Sequence, residues 1–191
     1  MTRAAVVFAD GCEEIEGLSQ VDVFRRLGVE CDMVGLNKLE VNGDHNIKII
    51  CDKLVDESLL DYDMVSFPGG KPGAIHLRDS VKLNKLMNQR HAAGKWCAAM
   101  CAAPIALGKY GLLNQAEFTC YPGFEKEILA EAPEAKFSEA ITVTDKKQKI
   151  VTSRGPATAL AFSYALAEAL GIDTDQLQEG MLYKQFKPQN S

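Results

Sequence analysis

Cys101 carries the strongest chemical promise in the chain. It follows the apolar run WCAAM at 96–100 and precedes AAPIAL, so a short strand is expected to run into a helix at a bare thiol. Ala98, Ala99, Ala102 and Ala103 are small enough for a sharp strand-to-helix turn, and Pro104 suits the first helical turn, where its missing N–H costs nothing. A thiol at a helix N-terminus faces unpaired N–H groups that favour its thiolate. A fall in pKa from about 8.5 to about 5.5 would take the thiolate fraction at pH 7 from roughly 3% to nearly all. Cys31, Cys51 and Cys97 read instead as inert core thiols.

Three glutamates, Glu13, Glu14 and Glu16, follow the first apolar run. Glu13 and Glu14 read as exposed residues that complement a helix dipole. Glu16 has a second reading, turned inward beside Cys101. A carboxylate there raises a thiol's pKa, and helps only when it is protonated and donates a hydrogen bond to sulfur; the residues alone leave both readings open. His45, His76 and His91 are distant from Cys101 in sequence and show no paired metal-ligand spacing. A Cys–His pair therefore requires His45 or His76 to fold in from a remote loop. Neither GxGxxG nor GxxxxGK[ST] occurs, so no metal and no nucleotide cofactor is expected.

The elements needed to position these groups alternate. Ala4–Phe8 reads as a buried strand, a helical pattern runs from Glu14 to Arg26 with Gly28 just beyond it, and Glu30–Gly35 reads as a second strand, which makes a βαβ unit. Ile47, Ile49 and Cys51 alternate with polar residues after the Asn42–Gly43 turn and suggest an edge strand. Met64–Phe67 is a further buried strand ending in Pro68–Gly69–Gly70, where two glycines let backbone N–H groups approach a ligand or simply turn the chain. Ser80 caps a helix to about Ala93, and Phe118–Cys120 reads as a brief strand followed by a helix over 124–130. Ile141–Thr144 pairs with Ile150–Ser153 through a lysine-rich turn, and Ala157–Leu170 is a last helix. This alternation predicts a doubly wound α/β sandwich built as a single domain over residues 1–191.

Composition narrows the function classes. A net charge of −5 argues against a nucleic-acid surface, and the one dense basic run, Lys146, Lys147 and Lys149, reads as the polar turn of a hairpin. No apolar run approaches the roughly 20 residues of a membrane span. MTRAAVVFADG offers too short an apolar stretch for a secretory leader. With six scattered cysteines, the expectation is a cytoplasmic protein with reduced thiols.

Four segments then coincide in order: EEIE at 13–16, FPGG at 67–70, AAMCAAPIAL at 98–107 and TSRGP at 152–156. Together they resemble the ThiJ/PfpI superfamily, in the branch of the parkinsonism-associated deglycase and its bacterial relatives, over nearly the whole chain. The resemblance implies a flavodoxin-like sandwich with a mainly parallel sheet, a homodimer, and Cys101 as the reactive cysteine on a nucleophile elbow. It implies that Glu16 is the protonated acid at the sulfur, and that Gly70 and Ala102 supply N–H groups to an oxyanion. Gly69, Arg26 and Arg154 follow as anion- or substrate-binding candidates, Arg26 across a dimer interface. Where relatives commonly carry a histidine before the proline of the loop after the elbow helix, this chain has Tyr121, and a phenol is a poor base at neutral pH. Protease-like members carry a histidine directly after the cysteine, where this chain has Ala102, and amidotransferase relatives use a downstream histidine, where this chain has none after His91, so hydrolysis by a Cys–His pair is disfavoured. The implied activity is a cofactor-free glyoxalase or deglycase acting on methylglyoxal, glyoxal or their early thiol and amine adducts, with Tyr121 orienting the substrate. The alternative is an oxidative-stress sensor or chaperone that works through oxidation of Cys101 to the sulfinate.

Overall fold

The computed structural model describes residues 2–186. In chain order the elements are β1 (Arg3–Phe8), α1 (Glu14–Arg26), β2 (Glu30–Gly35), β3 (Glu40–Asn42), β4 (Lys48–Ile50), β5 (Lys53–Leu54), β6 (Met64–Phe67), α2 (Lys71–Arg78), α3 (Val81–Ala92), β7 (Trp96–Met100) and α4 (Pro104–Lys109). They continue with β8 (Glu117–Phe118), α5 (Glu125–Glu131), β9 (Lys136–Phe137), β10 (Thr142–Asp145), β11 (Ile150–Ser153), α6 (Ala159–Ala169), α7 (Asp175–Gly180) and α8 (Tyr183–Phe186).

The central sheet runs β10-β11-β7-β6-β1-β2-β5 and is parallel except for β10, which pairs antiparallel with β11. Its parallel heart, β2-β1-β6-β7-β11, is the flavodoxin order, which places the switch point between β1 and β6. Ala4–Phe8 and β6 are fully buried, as expected of near-continuous apolar strands covered on both faces. Helices α1 and α6 pack on each other, and α2 packs on α4. The loops after β1, β6 and β7 therefore meet at the carboxyl edge of the sheet, where open α/β sheets hold their ligands.

The predicted βαβ unit falls at Arg3–Phe8, Glu14–Arg26 and Glu30–Gly35, and Ser80 caps α3 by accepting the Leu83 N–H at 3.2 Å. The lysine-rich turn joins β10 to β11, with Asp145 Oδ1 accepting from the N–H groups of Lys147 and Gln148. The edge strand expected around Ile47 is instead one arm of a separate two-stranded ribbon, β3–β4. Ile49 and Cys51 are buried there while Ile47 and Ile50 face out. Helix α2 was not anticipated, because KPGAIHLR contains Pro and Gly; the proline sits in the first turn, where a helix tolerates it.

Candidate active site

Cys101 occupies the single step between β7 and the turn that leads to α4, with φ of 60°, in the left-handed region that a side-chain-bearing residue adopts only under constraint. The constraint is visible on both sides of the residue. Its N–H donates to Ser153 O at 2.9 Å, and its carbonyl accepts the Tyr121 N–H at 2.8 Å. The thiol is thus presented upward from a locked turn, and the backbone N–H groups of Gly70 and Ala102 reach the sulfur.

Glu16 is completely buried beside it. Glu13 caps α1 by accepting the Glu16 N–H at 2.7 Å, and Gly69 N–H donates to Glu16 Oε2 at 2.6 Å. Glu16 Oε1 finds no nitrogen or oxygen partner among the described residues; the group sharing the carboxyl is the Cys101 thiol. Gly69 permits this arrangement: a Cβ there would lie 2.6 Å from Cys101 Cβ and 2.7 Å from Glu16 Oε2. Gly69 therefore spends its N–H on Glu16 rather than on a ligand. Gly70, at φ of 81°, turns its own N–H toward the thiol.

The electrostatics overturn the expected thiolate. Burial first, and the Glu16 carboxyl second, push the Cys101 thiol well above an ordinary thiol; the N–H groups of Gly70 and Ala102 pull the other way and are outweighed. Helix α4 is short and begins at Pro104, so little of a dipole reaches the sulfur. Burial also raises the Glu16 carboxyl to about 7, against the opposing pull of Gly69 N–H and the thiol. Near neutral pH the two groups carry at most one negative charge between them. For a proton leaving the thiol, the adjoining acceptor is Glu16.

A pocket of about 390 Å³ opens over the sulfur, lined by Gly70, Lys71, Cys101, Ala102, Tyr121, Phe124 and Pro156, with Glu13, Asp44 and His45 at one side. Tyr121 lies edge-on to Phe124, ring centres 6.5 Å apart, and is 46% exposed. Arg26 and Arg154 do not line the pocket. Arg26 pairs with Asp22 at 2.7 Å on the outer face of α1. His76 lines a different cavity, beside Asp10 and Lys38.

Sequence reasoning missed the roles of Glu13, Glu14 and His45. The first two glutamates are buried, not exposed: Glu13 is the cap of α1, and Glu14 accepts from His45 N at 2.7 Å and pairs with His45 Nδ1 at 2.8 Å. His45 is thus the remote histidine that does fold in, and its position in a loop 31 residues from Glu14 left no local signal. One ligand atom each from Glu13, Glu14 and His45 lies within 4.8 Å of the others, yet Glu13 is already engaged by the Glu16 N–H and Glu14 by His45. The other five cysteines are free and buried, and burial raises their thiols to between about 11 and about 12.

A parallel sheet in flavodoxin order, with a cysteine on a left-handed strand-to-helix step and a buried carboxyl against its sulfur, defines a class of nucleophile-elbow α/β proteins. Within that class, the chain belongs to the DJ-1/PfpI family, whose description matches residues 2–169. It is 34% identical to Protein DJ-1 homolog B of Arabidopsis thaliana over 88% of this chain, and spans only 38% of that protein's length. It is 32% identical to Protein dj-1beta of Drosophila melanogaster, over 87% of this chain and 88% of the fly protein. A crystal structure of Drosophila DJ-1beta superposes with a TM-score of 0.88 over 95% of this chain and 97% of the other. The Caenorhabditis elegans protein named Glutathione-independent glyoxalase DJR-1.2 is 26% identical, over 84% of each chain. No helix among the described residues is long and apolar enough to cross a membrane.

Proposed function

We propose that the chain is a cofactor-free, cysteine-dependent glyoxalase acting on methylglyoxal, glyoxal or their early adducts with thiols and amines. The observation that carries this reading is the completely buried Glu16 carboxyl, raised by burial to about 7 and set against the Cys101 thiol. Such a pair delivers a thiolate on demand and leaves a base beside it. The Cys101 thiol gives its proton to the Glu16 carboxylate as the sulfur adds to the aldehyde carbon, and the N–H groups of Gly70 and Ala102 stabilise the oxyanion. Glu16 returns that proton to the oxygen, which leaves a hemithioacetal and a carboxylate base. Glu16 removes the proton from that carbon and returns it to the neighbouring carbon, which converts the adduct to a Cys101 thioester of the hydroxy acid. Water then releases the acid. No external oxidant is needed, because one carbon is oxidised as its neighbour is reduced. Tyr121, at the rim, orients the substrate. The glyoxalase named among the relatives supports this substrate class. The test is lactate formation from methylglyoxal by wild type and Cys101→Ser; absence of cysteine-dependent lactate sinks the reading.

The second reading, a sensor of oxidants, is supported by the same unpartnered Glu16 oxygen, which is placed to hydrogen-bond a Cys101 sulfinate. Stable sulfinate formation under peroxide, without aldehyde turnover, would select it. The dimer belongs to this proposal as well. Ile15 and Leu18 on α1 and Ile47 and Ile50 on the β3–β4 ribbon are exposed apolar side chains, and the ribbon is tied to the loop before α1 by Gly11 N–H to Asn42 O at 2.7 Å. Sedimentation of wild type against Leu18→Glu tests it: a monomeric wild type rejects the dimer.

A further inference from the structure

Release of the product requires a base for water: Cys101 is taken up in the thioester, and Glu16 does not line the pocket that water enters. Glu16 lies completely buried with Gly69 N–H on one oxygen. Tyr121 offers only a phenol. His45 is the one imidazole lining the pocket among the described residues. We infer that His45, held by Glu14, is the base that activates the water which frees the product from Cys101; the inference rests on the glyoxalase reading above.

The ring is built into place. Glu14, with its side chain only 4% exposed, uses one oxygen for the His45 backbone N–H and the other for Nδ1. The carboxylate reaches the ribbon turn because Gly43 lacks a side chain; a Cβ there would stand 2.1 Å from Glu14 Oε1. Asp44 N–H donates to Cys12 O at 2.8 Å, which pins the same turn to the loop before α1. A carboxylate on Nδ1 fixes that nitrogen as the N–H and leaves the lone pair on Nε2. Nε2 has no hydrogen-bond partner among the described residues, and the side chain is 66% exposed and lines the pocket that Cys101 also lines.

The charges around the ring act together. Glu14, by hydrogen bond and by charge, makes the imidazole more basic than usual, and Asp44 and Glu13 add to this. Lys71, from the start of α2, is the cation across the same pocket. In the step itself, a water proton passes to Nε2 as the water oxygen bonds to the thioester carbonyl carbon, and the tetrahedral adduct then expels the Cys101 thiolate. The imidazolium returns its proton to the sulfur, and the new carboxylic acid ionises to solvent. Thiol and imidazole are both regenerated.

His45→Asn is the decisive variant, because its side-chain amide retains a donor for Glu14 near the Nδ1 position and lacks Nε2. The expected result is a fall in kcat of about 10²-fold, accumulation of the lactoyl–Cys101 adduct in quenched samples examined by mass spectrometry, and partial rescue by added imidazole. Glu14→Gln weakens the base, so the acid limb of the kcat profile moves to lower pH. Lactate production by wild type with His45→Asn unchanged in kcat and pH profile overturns this inference alone. Activity lost without adduct and without imidazole rescue assigns the pair to holding the ribbon, and also overturns it. A wild type that makes no lactate overturns both this inference and the activity on which it rests.

Discussion

Among the described residues, Arg90 and Glu16 are the Lys, Arg, Asp or Glu side chains that are wholly buried, and they are treated in opposite ways. Arg90, on α3, donates to the backbone carbonyls of Leu59, Tyr62 and Trp96, and so ties the segment before β6 to the start of β7. Glu16 has one firm donor, Gly69 N–H, and an oxygen left with only a thiol for company. A buried charge is costly unless its hydrogen bonds are met. Arg90 largely meets them and serves as a clamp. Glu16 is left short, and the shortfall appears as a carboxyl raised to about 7, which is what proton transfer at neutral pH requires. One buried group holds the fold, and the other is the acid of the proposed reaction.

The contrast is most exposed to test at Glu16. Glu16→Gln keeps an acceptor for Gly69 N–H and removes the proton carrier, and turnover of methylglyoxal is expected to fall by about 10³-fold; steady-state lactate measurement checks it. At the opposite pole, Arg90→Met strands three carbonyls and is expected to cost about 3 kcal/mol, lowering the melting temperature by roughly 10 °C. Lactate formation per folded molecule should stay near wild type, and a catalytic loss beyond the folded fraction would break the division.

Glu16→Gln makes a second, opposite prediction in stability. An unfolded glutamate ionises near 4.5 while the folded one holds its proton to about 7, so the folded state binds the extra proton between those values. Stability is then lost as pH rises through that window, by about 3 kcal/mol in all. The glutamine variant lacks this loss, so it should unfold at a higher denaturant concentration than wild type at pH 8 and show little difference at pH 4. An equal or lower midpoint at pH 8 would show that Glu16 is better satisfied than its contacts indicate. The smallest effect belongs to Tyr121→Phe, which removes a rim hydroxyl: a few-fold rise in KM with kcat preserved is expected from loss of one exposed hydrogen bond.

The backbone step at Cys101 was legible in sequence because its requirements are local. Small residues around Cys101, a proline three positions on and paired glycines after β6 each describe backbone geometry, and the resemblance supplied the partner, Glu16. The sandwich was legible for the same reason, since its strands and helices carry their own periodicity. Two things were not. The raised thiol of Cys101 depends on burial under loops from three strands, and no neighbour in sequence reveals it. Glu14 and His45 meet across 31 residues, at a turn whose only mark is the common dipeptide Asn42–Gly43. Helix α2 was obscured by Pro72 and Gly73, which resemble a loop until the proline is seen to occupy the first turn.

Gly69 sets how closely acid and nucleophile can stand. With only a hydrogen between Cys101 and Glu16, the floor of the site has no spare volume, and a single added methyl would wedge acid and nucleophile apart. Gly69→Ala is in effect an inhibitor written into the backbone. The pocket bounded by Tyr121 and Phe124 thus stands over an acid and a nucleophile held together by the absence of one side chain.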